Sequence, residues 1–170
     1  MKKIGNTILA ILMMASMLAV PADARKLRHH HSGIHHSVKH HHKVHHKPRL
    51  PPIVVARIDV SSQTMSVTVN GFPYAYWRVS TARKGYYTPR GAFGVTRMAR
   101  VYYSKKYDNS PMPNSVFFLG GNAIHGTNHV GSLGRPASHG CVRLHPSNAA
   151  RLYALVQQYG PRRTRIVVTE

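Results

Sequence analysis

The chain has 170 residues and sets 24 lysines and arginines against Asp23, Asp59, Asp108 and Glu170, a formal net charge of +20 with histidine neutral. So basic a balance favours polyanionic partners, and a single cysteine, Cys141, excludes an internal disulfide framework. About 120 residues beyond the N-terminal segments suffice for one modest core, hence one folded domain.

The first elements come in a clear order. Lys2 and Lys3 precede an apolar run from Ile8 to Val20, and Ala22-Asp23-Ala24 supplies small residues at the positions a signal peptidase reads. Residues 1–24 are therefore expected to be a cleavable secretory signal, with the mature protein starting near Arg25 in the periplasm or cell wall. The apolar run falls short of the roughly twenty residues needed to cross a bilayer. Export turns the polyanion expectation away from nucleic acid and toward anionic envelope surfaces. No aromatic interrupts residues 25–49 to stack a base.

Residues 25–52 read as a basic tether holding ten of the fourteen histidines, with almost nothing apolar to bury, so disorder is expected. Histidine runs can chelate zinc, nickel or copper, but no fixed ligand spacing defines a site here. Neither a metal nor another cofactor is expected for the chemistry. Pro48, Pro51 and Pro52 stiffen the entry into the folded part, residues 53–170.

From Ile53 the pattern turns to strands. Ile53–Val60 is rich in β-branched residues, and Met65–Val79 alternates about Asn70-Gly71, the signature of a hairpin with a tight turn. Thr88-Pro-Arg-Gly91 punctuates the chain before short strands expected at Ala92–Val95 and around Val101–Tyr103. A loop is expected over Asp108–Pro113, then a strand at Ser115–Leu119 leading through Gly120-Gly121 into Ala123-Ile124-His125. His145-Pro146-Ser147 reads as a helix start with Ser147 as cap, and Leu152, Leu155, Val156 and Tyr159 recur at helical spacing. Gly160-Pro161 ends that helix and Arg165–Thr169 makes a last strand. The expected fold is mainly β, with one amphipathic helix packed on the sheet.

Chemistry concentrates in residues 125–144. A free cysteine is ordinarily a small buried apolar residue, yet Cys141 follows Gly140, stands two residues after His139 and sixteen after His125. That setting suits a nucleophile: an imidazole takes the thiol proton, and backbone N–H groups of Gly140 and Cys141 receive the oxyanion of an attacked carbonyl. In an extended segment Arg143 shares a face with Cys141, where its guanidinium can hold a carboxylate. His129 reads as an exposed loop residue, and Tyr102, Tyr103 and Trp77 as packing. Tyr86 and Tyr87 are candidates for the groove wall.

His125-Gly-Thr, the twelve-residue interval, and Ser138-His-Gly-Cys-Val-Arg-Leu144 together resemble the signature of the YkuD-type L,D-transpeptidases of bacterial cell walls. The resemblance extends over residues 53–169 and implies mixed β-strands around a catalytic groove. It implies that Cys141 attacks the carbonyl of the third residue of a peptidoglycan tetrapeptide stem, expels D-alanine and forms a thioester that a diaminopimelate amine on a second stem resolves. It makes His125 the general base, oriented by a backbone carbonyl. His139 would line the site and help with the oxyanion, and Ser138 would support the turn. Gly140, Arg143, Gly126 and Thr127 would complete the oxyanion and substrate-binding set. Three alternatives stay open from sequence: an envelope-protein amine as acceptor, water as acceptor with stem trimming, and a non-enzymatic histidine-rich metal- or wall-binding exported protein.

Overall fold

The computed structural model describes residues 51–170. The signal expected at 1–24 lies outside them, as does all of the expected tether but Pro51 and Pro52. Nine strands and one helix follow in order: β1 (Val54–Asp59), β2 (Thr64–Val69), β3 (Phe72–Arg78), β4 (Gly91–Gly94), β5 (Arg97–Ala99), β6 (Ser115–Leu119), β7 (Asn122–Gly126), β8 (Val142–Leu144), α1 (Pro146–Tyr159) and β9 (Thr164–Thr169). They form two mixed sheets, ordered β3-β2-β1-β9-β4 and β5-β6-β7-β8.

The first sheet follows from period-two alternation. Val54, Ala56 and Ile58 of β1, Met65 and Val67 of β2, and Ile166 and Val168 of β9 all turn into one core. The hairpin forms as expected, with Asn70 (φ 52°) and Gly71 (φ 83°) both left-handed in the two-residue turn. The last strand of the chain runs parallel to the first and pairs with β4 on its other edge. Leu152, Leu155, Val156 and Ala149 of α1 fill the core against Val116, Phe118, Ile124, Val142 and Leu144 of the second sheet.

Two local expectations are corrected. The strand near Val101–Tyr103 is instead β5, because Arg97–Ala99 is the stretch in register with Val116 and its neighbours on β6; Tyr103 makes only an isolated bridge to Pro111. The helix cap is His145 rather than Ser147: His145 Nδ1 accepts the Ser147 N–H at 3.4 Å, and the Ser147 hydroxyl turns back to the same nitrogen at 2.8 Å.

The feature that positions chemistry is the pairing of β7 with β8. These strands are parallel, and parallel neighbours need a crossover. Residues 127–141 make it, with a single 3-10 turn at Val130–Ser132. Ile124 pairs with Val142, His125 with Arg143, and Gly126 with Leu144. Since Ile124, Val142 and Leu144 are buried in the core, alternation sends His125, Arg143 and the preceding Cys141 to the opposite face.

Candidate active site

On that face lies a cavity of about 770 Å³ whose lining includes Cys141, His125, His139, Arg143, Ser138 and Thr127. Six of the eight sequence-nominated residues thus share one space. Gly126 and Gly140 stand in its frame.

His125 is buried, and its Nδ1 lies 2.7 Å from the carbonyl of Gly126. A carbonyl only accepts, so Nδ1 carries the proton and Nε2 keeps its lone pair. That carbonyl is itself fixed. The Gly126 N–H donates to Pro113 O at 2.8 Å, and a side chain at this position would come within 3.1 Å of the Pro113 ring and 3.3 Å of the Pro146 backbone. Burial lowers the His125 pKa to about 4; the Gly126 carbonyl opposes the shift and the Arg143 cation adds to it.

Burial pushes the Cys141 thiol upward, while hydrogen bonding by the Ala123 backbone and the Arg143 cation pull it back in part. Both shifts favour a neutral imidazole beside a neutral thiol over an ion pair at rest. The thiol donates to Gly121 O at 3.8 Å, so attack requires it to turn from that carbonyl toward the imidazole.

Ser138 is the keystone of the turn before the sulfur. Its buried hydroxyl accepts the Gly140 N–H at 3.0 Å and donates to Cys141 O at 2.6 Å. This corrects the expectation of paired Gly140 and Cys141 donors for an oxyanion, since the Gly140 N–H is committed to Ser138. Gly140 has φ +133°, and a Cβ there would lie 2.9 Å from Asn122 Oδ1 and 3.0 Å from Tyr87 O. Glycine is required on both counts.

The whole catalytic turn hangs on residues 79–83. Ser80 exchanges two backbone hydrogen bonds with Arg143 (3.0 and 2.8 Å), Thr81 O accepts Ala137 N and Ser138 N (2.9 and 2.8 Å), and Arg83 N donates to Ser138 O (3.0 Å). Gln63 anchors this segment from the turn between β1 and β2: its side-chain Nε2 donates to Thr81 Oγ1 at 2.6 Å and its Oε1 accepts Thr81 N at 2.8 Å. Sequence reasoning missed Gln63, because a glutamine beside Ser61-Ser62 reads as an ordinary turn residue.

His139 sits between two aromatic rings. Tyr107 stacks on it at 4.3 Å with planes 18° apart, and Tyr86 meets it edge-on at 4.6 Å. Arg83 Nη2 lies 2.7 Å from His139 Nε2; a guanidinium only donates, so this nitrogen is an occupied acceptor. Desolvation and the Arg83, Arg143 and Lys106 cations keep the His139 pKa below its ordinary value. His125, with its free Nε2, is the better placed base. Thr127 donates its N–H to Leu144 O and accepts the His129 N–H on its hydroxyl, shaping the rim. Arg143 is half-buried, with one guanidinium N–H on Ala137 O at 3.3 Å. Trp77 packs in the core and Tyr87 walls the cavity, both as expected; Tyr102 packs edge-on against Phe117 while also lining the cavity, and the exposed His129 reaches its rim. Tyr103, expected to pack, is exposed instead.

No group of three or more His, Cys, Asp or Glu able to hold a metal ion occurs among the described residues. Sulfur, imidazole, half-buried cation and hydrogen-bonded turn together make a site for acyl transfer.

Comparison with known proteins agrees with this chemistry. The chain is 27% identical over 126 residues to the L,D-transpeptidase-like protein YqjB of Bacillus subtilis, covering 66% of this chain and 69% of that one. It is 25% identical over 120 residues to the similarly named YkuD of the same organism, covering 65% and 63%. Among solved structures, an L,D-transpeptidase from Mycobacterium smegmatis superposes with TM-score 0.62 at 25% identity, over 69% of this chain and 59% of that one. An L,D-transpeptidase from Xylanimonas cellulosilytica superposes with TM-score 0.59 at 28% identity, over 72% and 63%. The chain thus spans about three-fifths of the length of these solved relatives. The family model of the YkuD L,D-transpeptidase catalytic domain matches residues 53–168, and the chain belongs to that family.

Proposed function

We propose that this protein is an exported cysteine L,D-transpeptidase that cross-links peptide stems of bacterial peptidoglycan. The observation that carries the reading is the parallel β7–β8 pair, which sets His125, Cys141 and Arg143 on one cavity-facing side with the imidazole locked in the tautomer a base needs.

In the first half-reaction the Cys141 sulfur attacks the carbonyl of the third stem residue while its proton passes to His125 Nε2. The oxyanion forms beside the Cys141 amide, the donor left once Gly140 is bound to Ser138. Collapse breaks the C–N bond, and the proton on His125 goes to the departing amine of D-alanine. The product is a thioester on Cys141. In the second half-reaction an acceptor amine attacks the thioester and gives its proton to His125. The C–S bond breaks, the proton returns to sulfur, and the new amide leaves. Arg143 holds a stem carboxylate throughout.

A second stem is the proposed acceptor; a protein amine or water would give envelope-protein attachment or trimming by the same acyl-enzyme. Incubation of the purified protein with disaccharide-tetrapeptide, read by mass spectrometry, decides among them. A dimer short of one D-alanine is the expected product. Released D-alanine without dimer would reassign the acceptor to water, and unchanged substrate would overturn the enzyme reading.

A further inference from the structure

Beyond the motif, one wall of the cavity comes from residues 104–112, which the family signature does not include. Lys105, Lys106 and Tyr107 line the same space as Arg143 and His139. Lys106 Nζ lies 5.4 Å from the Tyr107 ring centroid, and that ring stacks on His139. Lys106 thus reaches toward the catalytic turn through the Tyr107 ring, and Lys105 shares the cavity wall beside it.

Among the described residues these cations have no counter-ion. Of the three acids at positions 51–170, none lines the cavity. Asp59 is held by the Ser61 hydroxyl and the Ser62 N–H, and Glu170 pairs with Arg90 at 2.9 Å, the single ion pair among the described residues. Asp108 is exposed outside the cavity. A cavity that gathers Lys105, Lys106 and Arg143 with no carboxylate is complementary to a ligand carrying more than one.

We propose that Lys105 and Lys106 form an anion subsite of the donor site that selects stems whose internal carboxylates are free over stems in which they are amidated. The proposal rests on the peptidoglycan reading above and specifies which chemical form of stem the site takes. Arg143, half-buried, holds one carboxylate near the sulfur. The exposed lysines meet a second through solvent-screened contacts, each worth roughly a fewfold in affinity.

The test measures equilibrium binding of two synthetic probes to the full chain: a diaminopimelate tetrapeptide with free carboxylates and the same peptide with its internal carboxylates as carboxamides. Turnover of both is followed in parallel. The native protein is expected to bind the free-acid probe about tenfold tighter, a margin that shrinks as salt rises. Lys105→Ser combined with Lys106→Ser should cut the ratio several-fold, leaving the part of the preference that Arg143 confers. Arg57→Ser with Arg165→Ser removes the same charge from the strands of the other sheet and should leave the ratio unchanged. Equal binding of both probes by the native protein, or an unaltered ratio in the lysine variant, would overturn the subsite. Discrimination in binding without any turnover would uphold the subsite and sink the transpeptidase reading alone.

Discussion

Replacing Ser138 with alanine tests whether the turn before the nucleophile is held as the geometry indicates. The hydroxyl is 1% exposed and serves two backbone groups, accepting Gly140 N–H at 3.0 Å and donating to Cys141 O at 2.6 Å. Alanine keeps the volume nearly constant but strips both groups of this partner. An unpaired buried backbone group costs about 1–3 kcal/mol. Because the two share one hydroxyl, the combined loss should be about 2–4 kcal/mol rather than the full sum. For a domain of this size each kcal/mol moves the melting temperature by roughly 3–5 °C, so calorimetry should show a fall of about 6–20 °C. The Gly140 N–H, freed from Ser138, should also leave Cys141 in a looser frame, lowering the turnover number more than it alters KM. A melting shift under about 2 °C together with unchanged turnover would refute the role assigned to this hydroxyl.

Gly140→Ala forces a Cβ to 2.9 Å from Asn122 Oδ1 at φ +133°, which should destabilise by about 2–4 kcal/mol and abolish acylation; denaturant melts and product assays check both. The buried His125, with its pKa lowered to about 4 from 6.5, makes the unfolded state bind the extra proton between those values. Stability should be complete above about pH 6.5 and decline by about 3 kcal/mol on acidification to about pH 4. His125→Gln should flatten that slope in urea melts across this range, and an unaltered slope would show the imidazole to be no more buried than in the unfolded chain. Because burial raises the Cys141 thiol, alkylation by iodoacetamide should be slow at pH 7 and still rising above pH 9; a plateau reached below pH 7 would mean a preformed thiolate.

Much of this architecture is readable locally. The alternation in β1 and β2, the Asn70-Gly71 turn, the spacing of α1 and the motif around Cys141 all carry their information within a few residues. What escaped was set by pairing between distant parts. Val101-Tyr102-Tyr103 has the greater strand propensity, yet Arg97–Ala99 forms the strand because it lies in register with β6. Nothing near β9 announces that it inserts between β1 and β4. The site divides in the same way. His125 and Cys141 stand out by residue type and spacing, whereas Gln63 acts through a side chain reaching Thr81, and Arg83 through a contact with His139 across 56 positions. The Gly140 amide was expected to serve an oxyanion, and only the folded position of the Ser138 hydroxyl shows it engaged.

The most direct measurement is the intact mass of the protein during reaction with a stem tetrapeptide, followed by peptide mapping. Acyl transfer through Cys141 predicts a transient adduct equal to the tetrapeptide less D-alanine, carried by the peptide containing Cys141 and missing from Cys141→Ala. An adduct that persists in Cys141→Ala, or product formed with no adduct on the native chain under single-turnover conditions, would contradict a covalent mechanism at this cysteine.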